Sequence, residues 1–169
     1  MLGSLASYSV DPERGFLPAL DPLVALPHEY AAIDELTGQM PSLLRSRRVR
    51  DSLRGLAPVD VDRDRRDDTR RQNTQLSLEL CVLTNAWVWG EPTPDLTIPA
   101  NLAVPVCTLA DRLGRRPIVS HASMDLQNWR RVRPDEPLSP DNAELLVGFH
   151  GGTDETWFFT ATIGVELAA

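Results

Sequence analysis

Side chains that could bind a metal or act as a nucleophile are few in this chain, and they lie far apart. His28, His121 and His150 share no ligand spacing with one another or with Cys81 and Cys107, so a metal cluster is not expected. Both cysteines sit in apolar surroundings and are expected to be reduced, buried side chains. The main basic cluster, Arg45, Arg47, Arg48, Arg50 and Arg54, reads as a solvated turn and helix face. A formal net charge of −7 argues against a nucleic-acid partner, because phosphates repel an acidic surface unless a basic patch is segregated. The sequence holds no glycine-rich phosphate loop, nucleophile elbow or paired-carboxylate signature.

The elements that would position such groups are mainly helical. At 169 residues the chain is one domain, or one domain and the beginning of another. Residues 1–30 carry Pro12, Pro18, Pro22 and Pro27, too many for a long helix; they read as an extended arm whose Phe16 and Leu17 bury against a core. Residues 28–54 read as helix, with Ile33, Leu36, Met40, Leu43 and Leu44 near helical spacing, and residues 57–68 as a charged connection. The clearest helix is predicted from Thr69 to Trp89, with Leu76, Leu80, Leu83 and Trp87 on one face and Gly90 as its stop. After a linker from Pro92 to Pro99, a short helix is expected with Pro105 in its first turn, Val106, Leu109 and Leu113 inward, and Gly114 at its end. Residues 118–132 predict a short helix or turn, and Ser139-Pro140 the capped start of another helix.

The segment from Thr156 to Ala169 admits two local readings. Trp157, Phe159, Ala161, Ile163, Val165 and Leu167 alternate as in a strand. A helix would start with Thr153 as cap and place Asp154 and Glu155 in the first turn, where their charge complements the dipole. Such a helix is apolar nearly all round and belongs inside a larger bundle. The chain stops at Ala169 without Gly, Asn, Pro or a basic last turn, so the ending is expected to be a cut.

Six stretches in order resemble the indoleamine 2,3-dioxygenase family. They are DPERGFLPALDPLVALP (11–27), LCVLTNAWVWG (80–90), IPANLAVPVCTL (98–109), RRPIVSHASMDLQNWRR (115–131), PLSPDNAELLVGF (137–149) and DETWFFTATIGVELAA (154–169). Singly each is weak, since VWG or NW occurs by chance; six in sequence are specific.

The resemblance implies a small, mainly α domain over residues 1–150, then the first helix (151–169) of a large all-α haem domain otherwise absent. It resolves the last segment as helix. It implies a haem b enzyme that inserts both atoms of O2 across the C2–C3 bond of tryptophan or a related indole, giving N-formylkynurenine. The residues themselves, with no apolar run near the roughly 20 a membrane span needs and no basic, apolar start, make a cytoplasmic protein without a membrane span the expectation. The axial histidine, the carboxylate-binding arginine and a second pocket aromatic would lie beyond residue 169, on a missing C-terminal half. Within this chain the resemblance implies substrate-binding roles for Phe158, against the indole, and Thr162, where mammalian members have a pocket serine. His121 and Met124 fall on the pocket wall where those members carry Tyr and Cys, which leaves the choice of indole open. Phe159, Asn128 and Trp129 are assigned to packing. Two other readings stay open: a half-protein or remnant needing a separate haem-binding partner, and an indole-modifying relative in secondary metabolism.

Overall fold

A long helix through the middle of the molecule organises everything else. The computed structural model describes residues 10–61, 69–151 and 153–168. Three short helices, α1 (Ala31–Gly38), α2 (Met40–Ser46) and α3 (Val49–Arg54), precede the central α4 (Thr69–Trp89), which is followed by α5 (Ala100–Leu113) and α6 (His121–Leu126). An antiparallel hairpin of β1 (Trp129–Arg131) and β2 (Ala143–Leu145) pairs Trp129 with Leu145, and α7 (Thr153–Ala168) closes the order. The protein is mainly α with one small sheet, as the sequence predicts. Among the described residues no helix is long and apolar enough to cross a membrane.

Helix α4 is buried round most of its circumference, with Asn85 and Trp89 exposed toward its end. Leu76, Leu80, Leu83 and Trp87 are buried as predicted, and the polar Gln75, Ser77 and Glu79 are buried with them. They are covered because α1, α3 and α5 all pack on this one helix. Gly90 does stop it, through close approach: a Cβ there would collide with the Ala86 carbonyl and crowd Leu44 and Val49.

Arg50 departs from the solvated reading of its cluster. Arg45, Arg47, Arg48 and Arg54 are exposed, while Arg50 is 9% exposed. Its Nε donates to the Trp87 carbonyl at 2.8 Å, and Nη2 to the carbonyls of Thr93 at 2.7 Å and Val88 at 3.2 Å. The last turn of a helix has carbonyls with no partner of its own, and Arg50 satisfies two of them at the end of α4. Glu91 accepts the Arg50 amide and lies 3.5 Å from its guanidinium.

Other expectations need correction. Residues 28–54 are a 3-10 turn and three helices, broken at Gln39 and at Arg47, whose φ of 56° is left-handed. Helix α5 starts at Ala100, five residues before Pro105, because Asn101 anchors its first turn by donating to the carbonyls of Leu53 and Leu56. Its end at Gly114, with φ of 64°, is as predicted, whereas Leu113 is only half-buried. Cys107 is exposed, at the edge of the buried face of α5 formed by Val106, Leu109 and Ala110; Cys81 is buried. Ser139-Pro140 opens a single 3-10 turn rather than a helix. Asn142 ends it, its side chain accepting the Arg133 amide and donating to the carbonyls of Arg133 and Pro137, which ties the hairpin loop shut.

The arm also behaves differently at adjacent residues. Leu17 is buried in a second apolar cluster with Trp129, Ala143 and Ile163, while Phe16 faces outward. A turn closed by the Leu17 amide on the Arg14 carbonyl carries Leu17 inward and leaves Phe16 on its outer side. Most of the charged connection, residues 62–68, lies outside the described residues, as does the side chain of the expected cap, Thr153.

Candidate functional site

Helix α7 carries the candidate site and is fixed at its start by a carboxylate. Glu155 accepts the amides of Phe149 at 2.6 Å, His150 at 3.1 Å and Gly151 at 2.8 Å. These consecutive N–H groups form a nest that holds the anion, and the positive φ of Gly151 (72°) belongs to that turn. The role exceeds the dipole complement expected of a first-turn acid. Farther along, Ile163 is fully buried against Leu17, Trp129 and Ala143, and Leu167 packs beside it. The helix also lies against α6, β2 and the 3-10 turn.

One side of α7 is therefore committed and the other is open. Trp157 is 72% exposed, Phe158 59% and Val165 68%. Phe158 stands edge-on to Phe159, ring centres 5.1 Å apart, and Phe159 packs into the main core as expected. A shallow cleft of about 650 Å³ runs beside them, lined by Phe149, His150, Asp154, Phe158 and Phe159. Thr162 follows Phe158 by four residues, so both lie on one helix face. Its half-buried hydroxyl has no hydrogen-bond partner among the described residues, whereas Thr160 donates to the Thr156 carbonyl at 2.8 Å.

The two α6 residues are placed otherwise. Met124 is buried in the main core and reaches no free surface. His121 is exposed, its Nε2 2.8 Å from Oδ2 of the buried Asp125 one turn along. Burial raises the Asp125 carboxyl above its usual range, and the nearby His121 charge opposes that rise. Ser120 caps α6 by accepting the Ser123 amide. Asn128 is fully buried, donating to the Val147 carbonyl and accepting its amide, both at 2.8 Å, so it and Trp129 are structural as predicted.

His150, singled out only as one of three isolated histidines, lines the cleft beside Phe158. Nothing in its sequence neighbourhood marks it, because the nest that bends the chain there is built from backbone amides.

Haem needs an axial donor and enclosing apolar walls. Among the described residues no three His, Cys, Asp or Glu side chains gather as a metal site. His28 is exposed on its 3-10 turn, His121 is engaged by Asp125, and His150 stands in an open cleft. These residues provide one apolar wall and do not by themselves fit the group.

Comparison with known proteins places the chain in a family. The family described as indoleamine 2,3-dioxygenase matches residues 4–169. Mouse indoleamine 2,3-dioxygenase 1 is 33% identical over 98% of this chain, and mouse indoleamine 2,3-dioxygenase 2 is 32% identical over the same share. A more distant relative, a myoglobin of Haliotis diversicolor, is 26% identical over 96% of the chain. The chain spans about 40% of the length of each of these relatives. It belongs to the indoleamine 2,3-dioxygenase family.

Proposed function

We propose that this chain is the N-terminal part of a haem-dependent dioxygenase that opens the indole ring of tryptophan or a related indole. In this reading residues 1–150 are the small domain and residues 151–169 begin the haem-bearing one, whose remaining helices and axial histidine would lie outside residues 1–169. The observation that carries it is the Phe158–Thr162 face of α7, aromatic and hydroxylic and open, in a chain of this family. Phe158 would stack on the flat indole, and the free Thr162 hydroxyl would hydrogen-bond a polar atom of the ligand. His121 and Met124 would shape the adjoining wall through α6, the histidine from its exposed end and the methionine from behind. Haem b would supply the oxygen chemistry; no step of it falls to the residues described here.

The test is to co-express the chain with the C-terminal remainder of a family relative. Stoichiometric haem uptake and tryptophan oxidation are expected, with Phe158→Ala lowering kcat/KM by about tenfold or more and leaving the melt unchanged. A complemented protein that binds haem but turns over no indole would favour the second reading. That reading, a non-catalytic haem protein, draws on the similarity to a protein named myoglobin.

A further inference from the structure

A second cleft, of about 570 Å³, lies under the N-terminal arm, away from the α7 cleft, and shares none of its lining residues. Its apolar wall comes from the arm, with Phe16, Leu20 and Pro22, and its floor from the first turns of α4 and the chain after α5. Three arginines, Arg70, Arg71 and Arg115, line it.

Their partners decide what the cleft can hold. Arg71 donates to the Asp21 and Pro22 carbonyls and so fastens the arm to α4. Arg115 is half-buried, and among the described residues its side chain has one partner, the neutral Gln127, at 3.3 Å. Among the described residues neither Arg115 nor Arg70 has a carboxylate within ion-pair distance. The nearby Asp21 is already held by Arg14 and Arg131, both at 2.8 Å. Asp11, also on the lining, accepts the amides of Glu13 and Arg14 through Oδ1. Burial lowers the Arg115 pKa, and the positive charge of Arg70 lowers it further. Two guanidiniums that repel each other in a partly desolvated cleft are stabilised by an anion between them. Beside them Phe16 and Leu20 are exposed, and prolines stiffen the arm that carries them.

We infer that this cleft is a binding site for a small amphipathic carboxylate, its charge on Arg70 and Arg115 and its apolar body against Phe16 and Leu20. The inference is independent of the role given to α7. The prolines pre-set the wall, so little ordering is needed on binding.

Calorimetric titration of the chain with phenylacetate tests this, alongside phenylacetamide, which keeps the ring without the charge, and acetate, which keeps the charge without the ring. Phenylacetate should bind at least about tenfold more tightly than either. Arg70→Gln, at an exposed position that leaves folding intact, and Arg115→Gln should each weaken it several-fold, and Phe158→Ala should leave it unchanged. Equal affinity for phenylacetate and phenylacetamide, absence of phenylacetate binding, or indifference to both arginine variants would overturn the inference. So would loss of binding in Phe158→Ala, which would place the ligand on α7.

Discussion

Glu166, near the end of α7, accepts the backbone amide of Phe16 at 2.7 Å and so joins the two ends of the chain. Gly15 makes the approach possible. Its φ of 59° is left-handed, and a Cβ there would run into the Glu166 carboxylate. The tie sits beside the small cluster of Leu17, Trp129, Ala143 and Ile163, so arm, hairpin and α7 meet at one place.

Loss of this tie should loosen the arm before the rest of the fold. Glu166→Ala removes a charged acceptor and should cost about 1–2 kcal/mol. Gly15→Ala combines a left-handed backbone with a collision and should cost at least as much. Denaturant midpoints measure both, and limited proteolysis at Arg14 should quicken in each variant. Unchanged cleavage at Arg14 would show that burial of Leu17 and the Arg71 and Arg131 contacts hold the arm without this tie.

A buried carboxyl predicts the pH dependence of stability. Glu79 lies inside the α1–α4 contact, where burial pushes its pKa up to about 7 from 4.5, with help from the Asp34 charge. Hydrogen bonds from Gln75 and Thr37 oppose the rise. Thr37 has a single hydroxyl proton but lies within 3.0 Å of the carbonyls of Ile33 and Asp34 as well as the Glu79 carboxyl. It can therefore donate to a carbonyl and accept from protonated Glu79. The folded state holds the Glu79 proton more tightly than the unfolded state does. Stability is then greatest below about 4.5 as far as this group is concerned, and falls as pH rises toward and through about 7. The loss should amount to a few kcal/mol, because each tenfold gain in proton affinity on folding is worth about 1.4 kcal/mol. Chemical denaturation between pH 5 and 8 measures the slope, and Glu79→Gln should flatten it. An identical slope in that variant would assign the dependence elsewhere.

What could be read from the sequence follows a physical divide. Helix α4 was legible because its leucines recur at helical spacing, and Gly114 and Gly90 marked true ends. Local pattern does not report tertiary partners, and the misreadings share that cause. Arg50 looked solvated because its acceptors, the carbonyls of Trp87 and Thr93, lie some forty residues away. Pro105 looked like a first-turn residue because Asn101, which starts α5 earlier, is anchored by carbonyls before α4. At the site, periodicity alone left residues 156–169 between strand and helix; resemblance chose helix, and the structure agrees. The open Phe158 face follows from the packing of Ile163 on the opposite side. The Glu155 nest and the paired arginines of the arm cleft had no local signature.

Arg50 should be the costliest surface-cluster arginine to remove. Arg50→Ala leaves the carbonyls of Trp87 and Thr93 without this donor, leaves Val88 with the Asp95 amide alone and removes the guanidinium beside Glu91, a loss of about 3 kcal/mol or more. Arg45→Ala and Arg47→Ala, at exposed positions, should fall within about 0.5 kcal/mol of the parent. Arg54 lies between, because its guanidinium sits 5.4 Å from the Trp87 ring centre and pairs with the exposed Asp51. Urea midpoints of the four variants should rank in that order. If Arg50→Ala proved as mild as Arg45→Ala, its carbonyl contacts would contribute nothing net.

The open face of α7 predicts how the chain behaves without further polypeptide. Trp157, Phe158 and Val165 are exposed along the helix opposite buried Ile163. Apolar surface of this kind associates or captures hydrophobic dye when nothing covers it. The isolated chain should bind such a dye and self-associate with rising concentration. Trp157→Ser combined with Val165→Ser should suppress both effects with little change in the melt, since neither side chain supports the core. The isolated chain should also take up haem weakly, without the sharp Soret band of histidine-ligated iron, because its three histidines present no enclosed axial donor. A dispersed monomer at high concentration with no dye binding would mean that the stripe is covered by this chain itself. A sharp stoichiometric Soret band would mean that one of the three histidines, His150 beside Phe158 being the best placed, ligates iron after all.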